Sequence, residues 1–485
     1  MLELMLSAEQ VTKSLISLVL ENKTMTLRQT LETADKIKYA VYLEWISEQT
    51  VRQISAEQKE PDRMLESRLK SLEILQKKPR PNRWPSLDGL NLDDIVYYAR
   101  PEKWYEGIAN DREQVDPTIK EKFERLWIPD AERKYLAGAW WQMDSENIYH
   151  KIKEKRAEKW VIFEDMPEAV RKHPELVKKY FMKLIPAHDH YFMALHGAVR
   201  SGWTFIYIPK WVKVNEPLQA YFRMNTYGGG QFEHTLIIIE DDAQGDYIEW
   251  CSAPKFNKTS IHAWCVEVYV GKRAKMRYSS VENRSTNTYN LNTKRALVDD
   301  DSYMERVNGN LGSCTTMLYP CSILKGNNAK TDLLWIAVAG KWQNQDTWSK
   351  VIHIGKNTSS TIVSKSISKD GWIATYRGIV DIKASAHWAV NSTECDALLM
   401  DDQSISTTIP VIKNDTGTWT VAHEASAGKI DDTQLFYLMS RGIDEEKAMA
   451  MIVNGFFSPI VKKLPLEYAG ELNKLIEMEM EGSVG

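Results

Sequence analysis

The chain has 485 residues, with 62 lysines and arginines against 66 aspartates and glutamates, for a net charge of −4. So even a balance gives no electrostatic basis for nucleic acid or an anionic membrane as the main partner. The length allows a large core and two or three structural regions. Five cysteines, Cys251, Cys265, Cys314, Cys321 and Cys395, contain no C-x-x-C pair. They fit free thiols in a reducing, cytoplasmic setting better than a disulfide framework.

In chain order, residues 1 to about 165 mix charged and apolar residues at helical spacing, and Ser7-Ala8-Glu9-Gln10 has the form of a helix start. Glu3, Glu9 and Lys13 interrupt the apolar start, which predicts an amphipathic helix rather than a signal peptide. Lys78-Pro79-Arg80-Pro81-Asn82-Arg83-Trp84-Pro85 breaks the pattern and reads as a loop. His173-Pro174 to Lys183 predicts another helix.

Near residue 200 the texture changes. Short β-branched and aromatic runs recur at 204–208, 235–239, 266–270 and 274–278, most bounded by Gly, Asn, Asp, Lys or Ser. Many short strands with turn signals predict an all-β solenoid, sandwich or barrel, and the pattern alone does not choose among them. The apolar run Leu333 to Ala339 is far shorter than the roughly 20 residues a bilayer span needs. From about residue 430 the spacing is helical again. One helix starts at Asp431-Asp432, a second at Gly442 to Glu446 with Ala448, Met451 and Ile452 as its stripe, and the last runs from Leu472 to Met480.

Several residues have chemistry to offer. Cys395, with His423 and Glu424 downstream, supplies a thiolate, an imidazole and a carboxylate, a set able to hold iron or a nascent iron–sulfur cluster. Cys251 is a second thiol, whose alternative role is an inert buried side chain. His188-Asp189-His190 would put two imidazoles on one face if it were a strand. Cys265, Cys314 and Cys321 read as packing residues. No G-x-x-x-x-G-K-[ST] loop is present, and Gly228-Gly229-Gly230 lacks its lysine, so ATP hydrolysis by this chain is not expected.

The words around these residues are more specific than their spacing. Glu394-Cys395-Asp396-Ala397-Leu398-Leu399-Met400-Asp401, His423-Glu424-Ala425, Gln231-Phe232-Glu233, Ile248-Glu249-Trp250-Cys251-Ser252-Ala253-Pro254, Tyr289 to Ala296, Asn357-Thr358-Ser359-Ser360, Leu464 to Ala469 and the closing Glu481-Gly482-Ser483-Val484-Gly485 occur in order. Together they resemble SufB, the scaffold subunit of the SUF iron–sulfur assembly system, within the SufB/SufD family. SufD shares the architecture but generally lacks the cysteine at position 395.

The resemblance implies a mainly β fold with helical ends. A helical region would cover 1–194, a right-handed parallel β-helix 195–425, and a C-terminal helical region 426–485. It implies sulfur acceptance at Cys251, with Arg223, Asn225 and Lys294 along a sulfur path through the β-helix and cationic groups lowering the thiol's pKa. It further implies a transient iron–sulfur cluster held by Cys395, Glu424 and His423, with remaining iron ligands from a partner β-helix. The implied partners are a SufC-type ATPase docking around residues 431–456, SufD or a second SufB copy, a sulfur donor (SufE, SufU or a cysteine desulfurase) and apo-protein acceptors. A flavin requirement is not readable. One departure stands near Cys251. The family usually reads Gln-Asn-Trp where this chain has Glu282-Asn283-Arg284, and a carboxylate there would repel a persulfide unless Arg284 neutralises it.

Composition carries an anomaly. Tryptophan is abundant at 17 and glycine scarce at 24, against an average glycine content near 7%. Trp45, Trp127, Trp140, Trp160, Trp203, Trp211, Trp250, Trp342, Trp348, Trp372 and Trp388 stand where the resembled sequences usually have glycine, whereas Trp84 fits a family tryptophan. Overpacking costs about 1–3 kcal/mol per site, so this many would exceed ordinary domain stability of about 5–15 kcal/mol. The reading that removes the conflict is UGA codons read as glycine in the source organism and rendered here as tryptophan. The alternative is a lineage that compensated each substitution.

The sequence also allows two rival functions. One is a SufD-like structural subunit without its own cluster. The other is a β-helix polysaccharide hydrolase, which needs clustered carboxylates. Asp299-Asp300-Asp301 is the best such cluster and looks like a solvated turn.

Overall fold

The computed structural model describes residues 32–34, 37–82, 85–102, 115, 136–152 and 159–480. The expected helix start at Ser7, together with Trp84 and Trp127, lies outside them. The N-terminal part is mixed rather than helical. Strand β1 (Tyr39–Glu44) leads to helices α1 (Glu48–Glu57) and α2 (Asp62–Lys77), then to β2 (Val96–Pro101), β3 (Gly138–Met143), β4 (Glu146–Ile152) and β5 (Ile162–Asp165). Helix α1 opens on Ser47, whose side chain accepts from Thr50 N–H and satisfies one exposed donor of the first turn. The strands were missed because β3, with Trp140 and Trp141, is buried on both faces and shows no polar alternation.

Short helices α3 (Met166–Lys172), α4 (Pro174–Tyr180) and α5 (Tyr191–Val199) lead into the solenoid. Its strands are β6 (Trp203–Ile208), β7 (Leu218–Arg223), β8 (Gly230–Gln231), β9 (His234–Ile239), β10 (Gln244–Ser252), β11 (Ser260–His262), β12 (Cys265–Val270) and β13 (Lys275–Arg284). They continue as β14 (Thr288–Val298), β15 (Tyr303–Gly312), β16 (Thr315–Leu324), β17 (Lys330–Ala339), β18 (Asn344–His353), β19 (Ser359–Ser368), β20 (Ile373–Ile382), β21 (Ala389–Leu399), β22 (Ile405–Asn414) and β23 (Trp419–Lys429). Helices α6 (Asp432–Ser440), α7 (Glu445–Val461) and α8 (Leu466–Met480) close the described chain.

Consecutive strands alternate between two walls. One runs β23-β21-β19-β17-β15-β13-β10-β7-β3-β4 and the other β22-β20-β18-β16-β14-β12-β9-β6-β5. Neighbours from β7 and β6 onward pair in parallel with long, unbroken registers. This is the parallel β-solenoid among the folds the strand pattern left open. Parallel pairing starts earlier than residue 195, at β3 with β7, and runs to Lys429, past 425. The last helix starts at Leu466 rather than Leu472.

Alternation of side chains assigns each strand two faces. Tyr247, Cys251, Tyr278, Leu333, Trp335, Ile362 and Cys395 point into one continuous lumen core. The intervening Ile248, Val281, Val307, Leu334 and Ile336 face outward and are covered by α7 and α8 through Val453, Phe457, Leu472 and Ile476. In β17, burying both faces gives the near-continuous apolar run Leu333 to Ala339. At the far end, β22 and β23 are the last strands of their walls among the described residues and leave both sheets with an edge there. Val411, Ile412 and Trp419 are exposed on them.

The turns carry a second repeat. Trp211, Asp242, Arg273, Asp301, Asn328, Asn357 and Trp388 each take a positive φ of 55–63°. Each donates its N–H to a carbonyl of the next coil, as in Trp211 to Asp241, Asp301 to Asn327 and Trp388 to Thr418. Asp299-Asp300-Asp301 therefore belongs to a stacked solvated turn, with Lys272 on Asp300 at 2.9 Å. It does not form the carboxylate cluster a hydrolase needs. Five of the anomalous tryptophans, Trp45, Trp160, Trp211, Trp342 and Trp388, have φ of 55–67° and are 61–82% exposed. Left-handed backbone is glycine's conformation, and a bulky aromatic there is an outlier. Trp140 and Trp250, in contrast, are packed in the core, and the Trp140 indole donates to Asn147 at 3.0 Å.

Candidate functional site

Cys395 sits on the lumen face of β21, near the open end. Its Sγ lies 3.7 Å from Nε2 of His423, which occupies the lumen face of β23 one coil further on. The register explains the meeting: His423 is the ladder partner of Thr393, two residues from Cys395 on the same face. Glu424 follows His423 and so points to the opposite face, exposed and beside its ladder partner Glu394. The structure thus joins Cys395 with His423 and leaves Glu424 outside.

Burial pushes the Cys395 thiol up to about 12, with Tyr376 acting against the rise and Asp396 and Glu394 adding to it. Burial holds His423 below its ordinary value, so its imidazole is neutral. A neutral imidazole is the form that ligates a metal, and a metal would deprotonate the thiol.

Cys251 faces the same lumen from β10 and is fully buried. Its surroundings do not favour the thiolate. Burial drives its pKa well up, Arg284 opposes this, and Glu282, Glu233 and Glu249 reinforce it. The expectation of a lowered pKa is corrected on that ground. Glu282 is the ladder partner of Cys251. It is neutralised by Lys294 at 2.9 Å and held by Asn290 and Asn292 at 2.7 and 2.8 Å. Arg284, the other cation the sequence offered for this role, donates to Gln231 at 2.9 Å. The Lys294 ammonium also lies 4.3 Å from the Trp264 ring centroid.

Arg223 and Asn225 stand apart from this lumen. Arg223 alternates with lumen-facing Phe222 and points outward, donating to Ser252 Oγ at 3.1 Å and to the Thr33 carbonyl at 2.9 Å. Asn225 lies in the turn after β7, where its N–H donates to buried Asp144 at 2.6 Å. Of the four residues expected to line a sulfur path, the structure places Cys251 and Lys294 in the lumen and the other two at its outer rim.

The strands between the cysteines are polar inside. From β10 to β21 the lumen carries Glu249, Ser280, Glu282, Asn308, Asn310 and Ser364, alternating with outward apolar residues. Sequence reasoning missed most of these. The signal was present in runs such as Tyr278-Ser279-Ser280-Val281-Glu282 and Arg306-Val307-Asn308-Gly309-Asn310, where the polar residues recur at period two inside strands buried on both faces.

A cluster that sequence alone did not reveal is His196, His234 and Cys265, whose ligating atoms lie within 4.8 Å of one another. His196 Nε2 meets His234 Nδ1 at 3.1 Å, and the outer nitrogens meet the Ala263 carbonyl at 3.0 Å and Glu267 at 3.1 Å. His188-Asp189-His190 lies in a turn before α5. There His190 meets Thr293 at 2.8 Å and Asp189 pairs with Arg295.

Comparison with known proteins gives the family. Residues 222–456 match the family described as SUF system FeS cluster assembly, SufBD core domain, and residues 139–220 match the SufBD protein N-terminal region. The chain is 48% identical over 440 residues to an iron–sulfur cluster assembly SufBD family protein of Staphylococcus haemolyticus, covering 91% of this chain and 94% of that protein. Proteins of the same description from Staphylococcus saprophyticus and Staphylococcus aureus match with the same identity and coverage. The chain belongs to the SufBD family. In this SufBD protein the matched core spans both Cys251 and Cys395, so the two thiols and the lumen between them fall within the family's shared body.

Proposed function

We propose that this SufBD protein is a SufB-type scaffold on which an iron–sulfur cluster is assembled. The observation that carries this reading is the Cys395–His423 contact of 3.7 Å in the last coils, beside two strands whose edges lack a partner among the described residues. A thiol and an imidazole alone make an incomplete iron site. Open strand edges favour pairing with another chain, and a second SufBD chain docked there would supply the missing ligands. Glu424, exposed one position from His423, is available to such a joint site although it does not face Cys395.

Cys251 takes sulfane sulfur from a persulfide donor, whose own thiol is released. Its thiol is closed off and held protonated in this conformation, so acceptance requires a movement that admits the donor. An ATPase subunit supplies that movement by docking on α6 and α7, where Phe436, Tyr437 and Met451 stand exposed. ATP chemistry belongs to that subunit, and the chain itself acts as a non-enzymatic scaffold in the cytoplasm.

Anaerobic reconstitution with iron and sulfide in the assembled complex tests the reading. The wild type is expected to give cluster absorbance that Cys395→Ala loses by at least tenfold with an unchanged fold. Equal yields would overturn it. One observation favours the second reading, a SufD-like structural subunit: Cys395 is only 4% exposed. That reading predicts no cluster on this chain in any complex.

A further inference from the structure

We propose that Arg306, Asn308 and Trp335 form an anion-binding station halfway along the lumen, suited to a small monovalent sulfur anion of the hydrosulfide class. Arg306 and Asn308 are two apart on β15, and Trp335 on β17 is the direct ladder partner of Asn308. All three face inward, since Val307, Leu334 and Ile336 take the outer face. Each is at most 2% exposed.

Their donors meet no acceptor from the described residues. This holds for Nε, Nη1 and Nη2 of Arg306, Nδ2 of Asn308 and Nε1 of Trp335. A buried guanidinium without a counter-charge costs several kcal/mol, and buried donors are normally satisfied. Local acids do not supply the balance. Glu249 already accepts from Thr235 and Tyr278, and burial pushes its carboxyl up to about 8, so it is largely protonated at neutral pH. Burial lowers Arg306 to about 10, which leaves it cationic. The Tyr278 ring, 5.8 Å from the guanidinium, offers only its face. Neutral water would accept from these donors without balancing the charge. A small anion does both.

The position gives the station its meaning. Along the wall, β13 separates β15 from the Cys251 strand, and β19 separates β17 from the Cys395 strand. At about 4.8 Å per strand, the station is roughly 10 Å from each cysteine's ladder. It therefore deepens the scaffold reading and rests on it for the identity of the anion: a dithiol reductant cleaves the Cys251 persulfide, becoming a disulfide and giving back the Cys251 thiol as the outer sulfur leaves as hydrosulfide.

Bromide probes the station directly. Crystals of the full chain, in its complex, are soaked in bromide and measured at the bromine edge. An anomalous peak within hydrogen-bonding reach of Arg306 is expected. It should vanish in Arg306→Met, persist in Arg306→Lys, and be displaced by anaerobic sodium hydrosulfide. Absence of the peak in the wild type, or displacement by chloride and not by hydrosulfide, overturns the proposal. Arg306→Met should also lower cluster yield at least tenfold while persulfide loading of Cys251, read by mass spectrometry, stays at the wild-type level. Wild-type cluster yield in Arg306→Met likewise overturns it. If Cys395→Ala still forms clusters, the scaffold reading fails, whereas the bromide result stands or falls on its own.

Discussion

Lys294 Nζ lies 2.9 Å from Glu282 Oε1, with both side chains fully buried, directly below Cys251 in the β10–β13 register. The ion pair therefore neutralises the one carboxylate that stacks on the thiol. Glu282→Ala would leave the ammonium buried and unpaired, at a cost of about 3–5 kcal/mol. Glu282→Met combined with Lys294→Met should recover most of that loss. Urea midpoints of the three proteins check it. Equal destabilisation by the single and double variants would show that the pair does not act as a unit.

Buried carboxyls set the pH dependence. Burial pushes Glu233 and Glu249 up to about 8. Their folded pKa values exceed the unfolded value near 4.5, so their contribution to stability is complete below about 4.5 and is lost as pH rises through about 8. Glu282, held down to about 2, acts oppositely, and its contribution is lost only as pH falls from about 4.5 toward 2. Burial holds His196, His234 and His262 below their ordinary value, so they oppose this trend up to about pH 6.5. Melting temperature is therefore expected to fall between pH 7 and about 8.5, and Glu249→Gln should flatten that slope by on the order of 1 kcal/mol. An unchanged slope would contradict the assignment.

The five exposed tryptophans with left-handed backbone make a chemical prediction. Peptide mass spectrometry of the protein from its native host is expected to find glycine at Trp45, Trp160, Trp211, Trp342 and Trp388. In a heterologous chain, each Trp→Gly change at these sites should stabilise by about 1 kcal/mol, the order of cost of a left-handed non-glycine residue. Intact tryptophan in the native peptides would dismiss recoding.

Docking on the C-terminal helices predicts a separable phenotype. Phe436 on α6 is 73% exposed, and no residue of that helix is buried. Phe436→Asp should weaken association with the ATPase subunit at least tenfold without changing thermal stability. Wild-type affinity, measured by analytical ultracentrifugation, would remove α6 from that surface.

Legibility in the sequence followed burial. The strands at 203–208, 234–239 and 265–270 were visible because β-branched runs stop at turn residues, and the C-terminal helices because one face of α7 is apolar. The strands before residue 165 were hidden, since β3 is buried throughout and its flanks are rich in charge. Cys395 and His423 could be named but not positioned, because only the register of β21 on β23 brings them together and turns Glu424 away. That Lys294 rather than Arg284 pairs with Glu282 was hidden for a similar reason. Which cation reaches Glu282 depends on wall-to-wall distances that linear spacing does not encode.

The alternation of two walls makes the solenoid a ruler with integer marks. Cys251 and Cys395 lie on strands of one wall separated by β13, β15, β17 and β19. Evolution can shorten or lengthen that interval only by removing or inserting a complete coil, about 4.8 Å at a time. The interval between the two thiols is thus fixed by the number of coils, however far the surface drifts.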